Sequence, residues 1–297
     1  MRVAKVIATC FKQKKKIENT YLVGDPVGYF GHSQNCMNTS DVINLLEFNI
    51  EREKNCNPGL DRDLIIVNSD VGSDKGNKFI NDLSGTKIPG GKINCITRKN
   101  IGRSFGSYND AFLNYRKNYE YFLFTEDDIN ISQNNYFKIG LDIFQNEKNC
   151  GFVAYIGITK IGRWHWKDLG LNKKTAYSCH GGTGLSSTKI LNEVVNKYGH
   201  LPHYKGAEKL KDITFGEVAF PNSIIQLGYK LFDLPKDTIL AIPAYDLIRN
   251  IEYKKWPTFQ KKCIFIFKSK IYNIFSKTEF TLNIYLKILK AFKRAIN

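Results

Sequence analysis

The feature that most constrains this fold is an alternation. Short runs of β-branched and apolar residues, Val3–Cys10 (VAKVIATC), Leu64–Val67 inside DLIIVNSD and Tyr121–Thr125 inside YEYFLFTEDD, are separated by segments with helical spacing. A weaker run, Lys92–Thr97 (KINCIT), lies between the last two. Thr39-Ser40-Asp41 reads as the cap of a helix in which Val42, Leu45, Leu46 and Ile50 keep a helical period. Ser104–Arg116 reads as a second helix, with Ala111, Phe112 and Tyr115 on one side. Strands that alternate with helices imply an α/β fold, a mixed and mostly parallel sheet flanked by helices. Further on, Gly151–Ile158 (GFVAYIGI) is a strand candidate. Tyr177–Ser187 (YSCHGGTGLSS) is a glycine-rich turn before a helix, and Phe215–Gly228 is a helix disturbed by Pro221.

In such sheets, ligands bind beyond the carboxyl ends of the strands. Two of those ends are acidic here: Asp70 closes IVNSD, and Glu126, Asp127 and Asp128 close YFLFTEDD. Adjacent carboxylates about 4–5 Å apart repel by roughly 3–4 kcal/mol per pair at an effective dielectric near 20. Either they splay into water or a cation sits among them. Hard oxygen ligands suit Mg²⁺ or Mn²⁺, and an ion held by one or two carboxylates completes its shell with phosphate oxygens. The helix after Asn100-Ile101-Gly102 starts beside Arg98, Lys99 and Arg103, which makes its N-terminus a natural anion site. The plainer alternatives are a solvated capping turn at 126–128, an Asp70 that bonds its own backbone, and solvated arginines. His200 and His203 (GHLPH) read as loop residues, since no further ligands stand at metal-binding spacing.

Composition excludes several classes. The chain has 297 residues, 42% of them hydrophobic, enough for one large domain or for one domain with an appendage. Its seven cysteines are scattered without a CxxC, which argues against a disulfide framework and a structural zinc site and fits a reducing cytosol. No run reaches the roughly 18–20 apolar residues of a spanning helix. The net charge of +16 is concentrated: residues 253–297 hold eleven basic residues and one acid. In that tail Leu282, Tyr285, Leu286, Leu289 and Phe292 share one face, and Lys287, Lys290, Lys293 and Arg294 occupy much of the other. We therefore expect a body over 1–250 and a basic amphipathic helical tail over 251–297 that seats on an anionic membrane surface through 255–297. The expected location is cytoplasmic, peripheral on the inner face of the cell membrane. A nucleic-acid partner is not expected, because the charge is not spread over a folded groove.

RKNIGRSFGSYNDAF followed by YFLFTEDD resembles the N-x-G…N, apolar strand and D-x-D-type order of the GT-A glycosyltransferases, and is most similar to their inverting family 2. The resemblance covers residues 2–235 and rests on order and spacing rather than on any one motif. It implies a GT-A (Rossmann-like) fold that moves a sugar from a nucleotide-diphosphate donor, a UDP-sugar foremost, to a hydroxyl of a glycan or lipid-linked acceptor in surface polysaccharide synthesis. Carried over, it implies donor contacts at Asp70, Arg98, Asn100, Arg103, Asn109 and Asp127, and Mn²⁺ or Mg²⁺ at Glu126 and Asp128, with Asp127 the alternative to Asp128. HGGTGLSSTKILNEV resembles the glycine-rich acceptor-side segment, which assigns His180, Gly181 and Gly182 to the acceptor, and Trp164 and Trp166 could stack on a sugar ring. GEVAFPNSIIQLGYKLF resembles the acidic helix that carries the base, which selects Glu217, with Asp212 as its rival. The sequence departs from the family at Glu126, where Asp is usual, at Gly216-Glu217 in place of an E-D pair, and in a longer segment over 14–38. A sugar-nucleotide pyrophosphorylase of similar fold is the rival enzyme, but Ala8-Thr9-Cys10-Phe11 lacks the glycines of its phosphate loop.

Overall fold

Val3–Thr9 (β1) is buried along its whole length, which explains why its sequence is apolar almost continuously rather than alternating. The structure is a computed structural model, and it describes residues 1–11, 39–161, 176–205, 209–235 and 237–244, without the side chains of 39–41, 209–215 and 243. The remaining strands are β2 (Arg62–Asp70), β3 (Lys87–Ile88), β4 (Gly91–Lys99), β5 (Tyr121–Glu126), β6 (Ile129–Asn130), β7 (Cys150–Ala154), β8 (Ile158–Ile161), β9 (Ala176–Cys179), β10 (Gly184–Ser187), β11 (Lys230–Asp233) and β12 (Ile242–Pro243). The helices are α1 (Thr39–Asn55), α2 (Asp74–Leu83), α3 (Arg103–Tyr115), α4 (Tyr136–Asn146), α5 (Thr188–Tyr198) and α6 (Lys209–Ile225).

Eight strands form the main sheet in the order β11-β7-β10-β5-β1-β2-β4-β3. The β5-β1-β2-β4 centre is parallel throughout, and β10 runs antiparallel between β5 and β7. Val6 of β1 lies opposite Ile65 of β2 and Phe124 of β5, so the carboxyl ends of these three strands share one edge. The expected mixed, mostly parallel sheet with helices on both faces is therefore present. Period-2 alternation divides the core. Ala4, Val6, Ala8, Phe122 and Phe124 pack with residues of α3, α5 and α6, while Ile7, Leu64 and Ile66 pack with α1 and α2. On that second side Leu123, Val153 and Leu185 pack with α4.

The structure refines the segment boundaries. GFVAYIGI splits into β7 and the start of β8, and YSCHGGTGLSS contains two strands around a 3-10 turn at His180–Gly182. Helix α6 passes through Pro221, whose missing N–H forfeits the bond to the Glu217 carbonyl one turn back. The next residue, Asn222, ties the helix to its neighbour. Its Nδ2 donates to Val218 O (2.6 Å) and Tyr177 O (2.6 Å), and its Oδ1 accepts from the Tyr177 N–H (3.2 Å), which staples α6 to β9.

A buried ionic network lies between the central strands β1 and β2 and helix α1. Glu53 of α1 accepts through Oε1 from Lys5 Nζ (2.5 Å) and Ser132 Oγ (3.0 Å). Its Oε2 accepts from Arg62 Nη2 (2.7 Å) and Nε (3.1 Å) and from the Tyr136 hydroxyl (3.1 Å). Lys5, Glu53 and Arg62 are all at most 2% exposed. Among the described residues no helix is long and apolar enough to cross a membrane. The 251–297 tail, with its expected amphipathic helix and membrane contact, lies outside the described residues.

Candidate active site

The acidic run is split by the pleat of the chain as it leaves β5. Asp127 turns inward: it is 8% exposed, its N–H donates to Ala8 O (3.0 Å), and its Oδ2 accepts from Thr9 Oγ1 (2.6 Å). Asn49 of α1 donates to its carbonyl (2.5 Å). Glu126 and Asp128, one residue to either side, stand together instead. Burial, followed by the Asp128 charge, pushes the Glu126 carboxyl up to about 8 against the opposing hydrogen bond from Ser104, with Glu217 and Asp127 adding to the rise. Ser104, in the first turn of α3, donates to Glu126 Oε1. The repulsion expected from three adjacent acids is thus partly relieved by turning one of them into the core.

The second half of the site is the glycine turn. Gly181 and Gly182 adopt φ of 57° and 60°, left-handed values at which glycine carries no Cβ penalty. The Gly181 N–H donates to Glu217 Oε1 (3.0 Å), and His180 Nδ1 lies 3.4 Å from the same oxygen. The Tyr108 hydroxyl of α3 donates to Gly181 O (2.9 Å). Burial, then Glu126, Asp128, Asp127 and Glu217, raise the Tyr108 pKa well above the usual phenol range, so it remains a donor. A Cβ placed on Gly181 would stand 3.2 Å from Glu126 Oε2. Glu217 thus bonds Gly181 and Glu126 stands beside the same residue, although 91 positions separate the two acids in sequence. Phe105 supports the arrangement, since a Cβ on Gly182 or Gly216 would meet its ring at 2.6 or 2.1 Å.

Other anticipated residues have defined local partners. Asp70 Oδ1 accepts from the Gly72 N–H (2.9 Å) and Asn77 Nδ2 (3.1 Å), and these bonds hold its carboxyl below the ordinary value. That is an Asx turn, the plainer of the two readings drawn from the sequence. Arg98 is not solvated. It pairs with Asp110 and donates to Ser69 Oγ (3.2 Å) and Ile101 O (2.5 Å), bracing the loop before α3. That loop enters the helix through Gly102 (φ 71°) and Arg103 (φ 43°). Asn109 is buried, its Oδ1 accepting from the Leu201 N–H (2.9 Å), whereas Asn100 is exposed with Nδ2 3.8 Å from Cys10 Sγ at the end of β1. The structure leaves His200 and His203 as neighbouring loop rings 4.8 Å apart, each facing Leu201 O. Asp212 lies on α6 with its side chain outside the described residues, as are Trp164 and Trp166 entirely.

Sequence reasoning missed Ser104, Tyr108 and Thr9. Ser104 and Tyr108 are four apart on one helix, so they share a face, and that spacing was the available signal. The donor set fits a divalent ion in one specific way. Among the described residues no three His, Cys, Asp or Glu side chains are grouped to hold a metal alone. Asp128 Oδ1 is nevertheless buried with no hydrogen-bond partner among the described residues, beside a Glu126 whose ionisation burial opposes. Two hard carboxylates with one orphaned oxygen suit an ion whose remaining ligands come from a bound diphosphate.

No family model matches the sequence, and no curated protein matches it significantly. Solved structures similar to it include the galactosyltransferase LgtC in complex with donor and acceptor sugar analogues, at 10% identity over 78% of this chain and 73% of that one, with a TM-score of 0.36. They include Staphylococcus aureus TarS (residues 1–349), at 12% identity over 84% and 64%, TM-score 0.40. A 4-diphosphocytidyl-2C-methyl-D-erythritol synthase from Anaerococcus prevotii is similar at 11% identity over 85% and 97%, TM-score 0.40.

Proposed function

We propose that this chain is a metal-dependent glycosyltransferase that moves a sugar from a nucleotide-diphosphate donor, first a UDP-sugar, to a hydroxyl of a glycan or lipid-linked acceptor. The observation that carries the reading is the convergence of Glu126 and Asp128 with Glu217 on the two sides of Gly181, at the carboxyl edge of the parallel strands. A carboxylate pair suited to a cation and a separate carboxylate aligned by a backbone N–H and a histidine are the two groups this chemistry requires.

Glu217 is the base in this reading. It takes the proton of the acceptor hydroxyl as that oxygen bonds the anomeric carbon, while the bond from that carbon to the diphosphate oxygen breaks and its electron pair leaves with the nucleotide. The Gly181 N–H and His180 hold one Glu217 oxygen, which leaves the carboxylate oriented for the acceptor. Glu126 and Asp128 would hold Mn²⁺ or Mg²⁺, whose positive charge favours the departing diphosphate. Tyr108 keeps the glycine turn at fixed distance from the acids.

Calorimetric titration of UDP, GDP, CDP and dTDP with Mn²⁺ tests this reading, wild type against Asp128→Ala. Metal-dependent binding of one nucleotide that disappears in the variant is the expected result. Absence of binding in every combination sinks the proposal.

A further inference from the structure

Asp70 uses only one of its two carboxylate oxygens within the described protein. It closes β2 at the carboxyl edge of the sheet and is half-buried there. Its Oδ1 accepts from the Gly72 N–H (2.9 Å) and from Asn77 Nδ2 (3.1 Å), whereas no described residue donates to Oδ2. No cation among the described residues pairs with it, although Lys99 lies opposite it in the register of β2 and β4. A Cβ on Gly72 would meet no atom within 4 Å, so the space beside the turn is open. The Gly72 bond and then the Asn77 bond hold the carboxyl below its ordinary value, which keeps it ionised at neutral pH. The Asx turn thus accounts for Oδ1 and leaves Oδ2 to a partner from outside.

Asn77, on α2, is itself held from behind. Its Oδ1 accepts from Asn68 Nδ2 (2.7 Å), and Asn68 is 1% exposed near the end of β2. The acid fixes the polarity of this chain of amides. An ionised carboxylate only accepts, so Asn77 turns its amino group to Asp70 and its oxygen to Asn68. Asn68 then turns its own amino group to Asn77, and its Oδ1 is left buried with no partner among the described residues. Holding Asp70 therefore costs the core a satisfied amide. The start of the helix does not require it, because Ser73 already caps α2 by accepting from the Gly76 N–H (3.2 Å).

The place of Asp70 and its charge narrow the ligand group. Only β1 stands between β2 and the strand that carries Glu126, so two strand spacings, roughly 10 Å, part Asp70 from the acids along one edge. A free carboxylate oxygen repels phosphate and requires an N–H or O–H. A nucleoside offers both, on the edge of its base and on its ribose. We infer that Asn77 is a positioning residue for nucleoside recognition, holding Asp70 Oδ1 so that Oδ2 accepts from an N–H or O–H of the nucleoside. Asn77 acts through Asp70 and does not touch the ligand. The inference rests on the glycosyltransferase reading, which supplies the nucleotide.

The test compares wild type, Asn77→Asp, Asn77→Leu, Asp70→Asn and the double variant Asp70→Asn/Asn77→Leu in the full chain. Each is melted without ligand, then titrated with Mn²⁺ plus UDP, CDP, GDP and dTDP, and with analogues of the tightest binder that lack the 2′- or the 3′-hydroxyl. Asn77→Asp keeps the side-chain shape and the acceptor for Asn68, and replaces the donor to Asp70 by a like charge. Both Asn77 variants should bind the preferred diphosphate about three- to tenfold more weakly, and Asp70→Asn about ten- to a hundredfold more weakly. Adding Asn77→Leu to Asp70→Asn should bring no further loss, because the two residues act as one unit. The discrimination that falls with affinity names the partner group: between the four bases it is the base edge, and against the deoxy analogues it is a ribose hydroxyl. Unchanged affinity in Asn77→Asp, whatever its melting temperature, makes Asn77 structural and overturns the inference; this variant decides if Asn77→Leu does not fold. A loss that persists in full in the Asp70→Asn background, or one equal for every nucleotide and analogue, overturns it too. Those outcomes leave the glycosyltransferase reading standing. Wild type that binds no nucleotide removes that reading and the inference with it.

Discussion

Replacing Glu53 by alanine should destabilise the protein far more than the loss of a surface carboxylate would. Among the described residues Glu53 is the acid that pairs with both Lys5 and Arg62, all three at most 2% exposed, and its two oxygens take five donors. Removing it strands two buried cations, and breaking a buried pair in this way costs about 3–5 kcal/mol. For a domain of this size, that corresponds to a fall in melting temperature of about 6–20 °C. Acid should act in the same direction. Burial by itself would raise the Glu53 pKa, but the charges of Lys5 and then Arg62 outweigh it and hold it below the ordinary value. A carboxyl with a lower pKa folded than unfolded stabilises fully above the unfolded value, about 4.3, and loses that contribution as pH falls through the folded one. Urea unfolding followed by circular dichroism should thus show a gap between wild type and Glu53→Gln that is full at neutral pH and closes below about pH 4. Lys5→Met/Glu53→Leu/Arg62→Met, which removes all three charges, should recover much of the loss. A deficit under about 1 kcal/mol for Glu53→Ala, the range of exposed pairs, would refute the reasoning. The network also bears on the site. Lys5 Nζ donates to Ile131 O (2.8 Å) and Asn49 fixes both Asp127 and Asn130, so the chain that follows the acids is fastened to α1.

Two further outcomes follow from the site. Glu217→Gln keeps a side-chain oxygen for the Gly181 N–H, so the fold should persist while kcat falls by about 10²–10⁴ with donor binding unchanged; activity within a few-fold of wild type would remove Glu217 as the base. Gly216→Ala would drive a methyl to 2.1 Å from the Phe105 ring, which Gly182 already confines from another side, and should cost about 1–3 kcal/mol in chemical denaturation; a neutral effect would show that the ring can withdraw.

Much of the fold was legible because its signals are local. Apolar runs such as VAKVIATC and DLIIVNSD sit on strands, and Ser104–Arg116 overlaps α3 almost completely, since periodicity reports burial one residue at a time. The 3-10 turn inside YSCHGGTGLSS was less legible, because a four-residue strand on either side of it carries too little pattern to separate from loop. Lys5 reads as a break in an apolar run. Only the tertiary pairing with Glu53, 48 positions away, explains a lysine in the central strand.

The order of elements, the acids at the strand ends, the glycine turn and the concentration of charge in the last residues belong to the sequence alone, since each is a property of neighbours along the chain. Tertiary structure decided which acid of the three turns inward, that Arg98 braces a loop, and that Glu217 meets Glu126 across Gly181. Those are matters of hydrogen-bond partners and burial between segments distant in sequence, and spacing along a chain does not encode them.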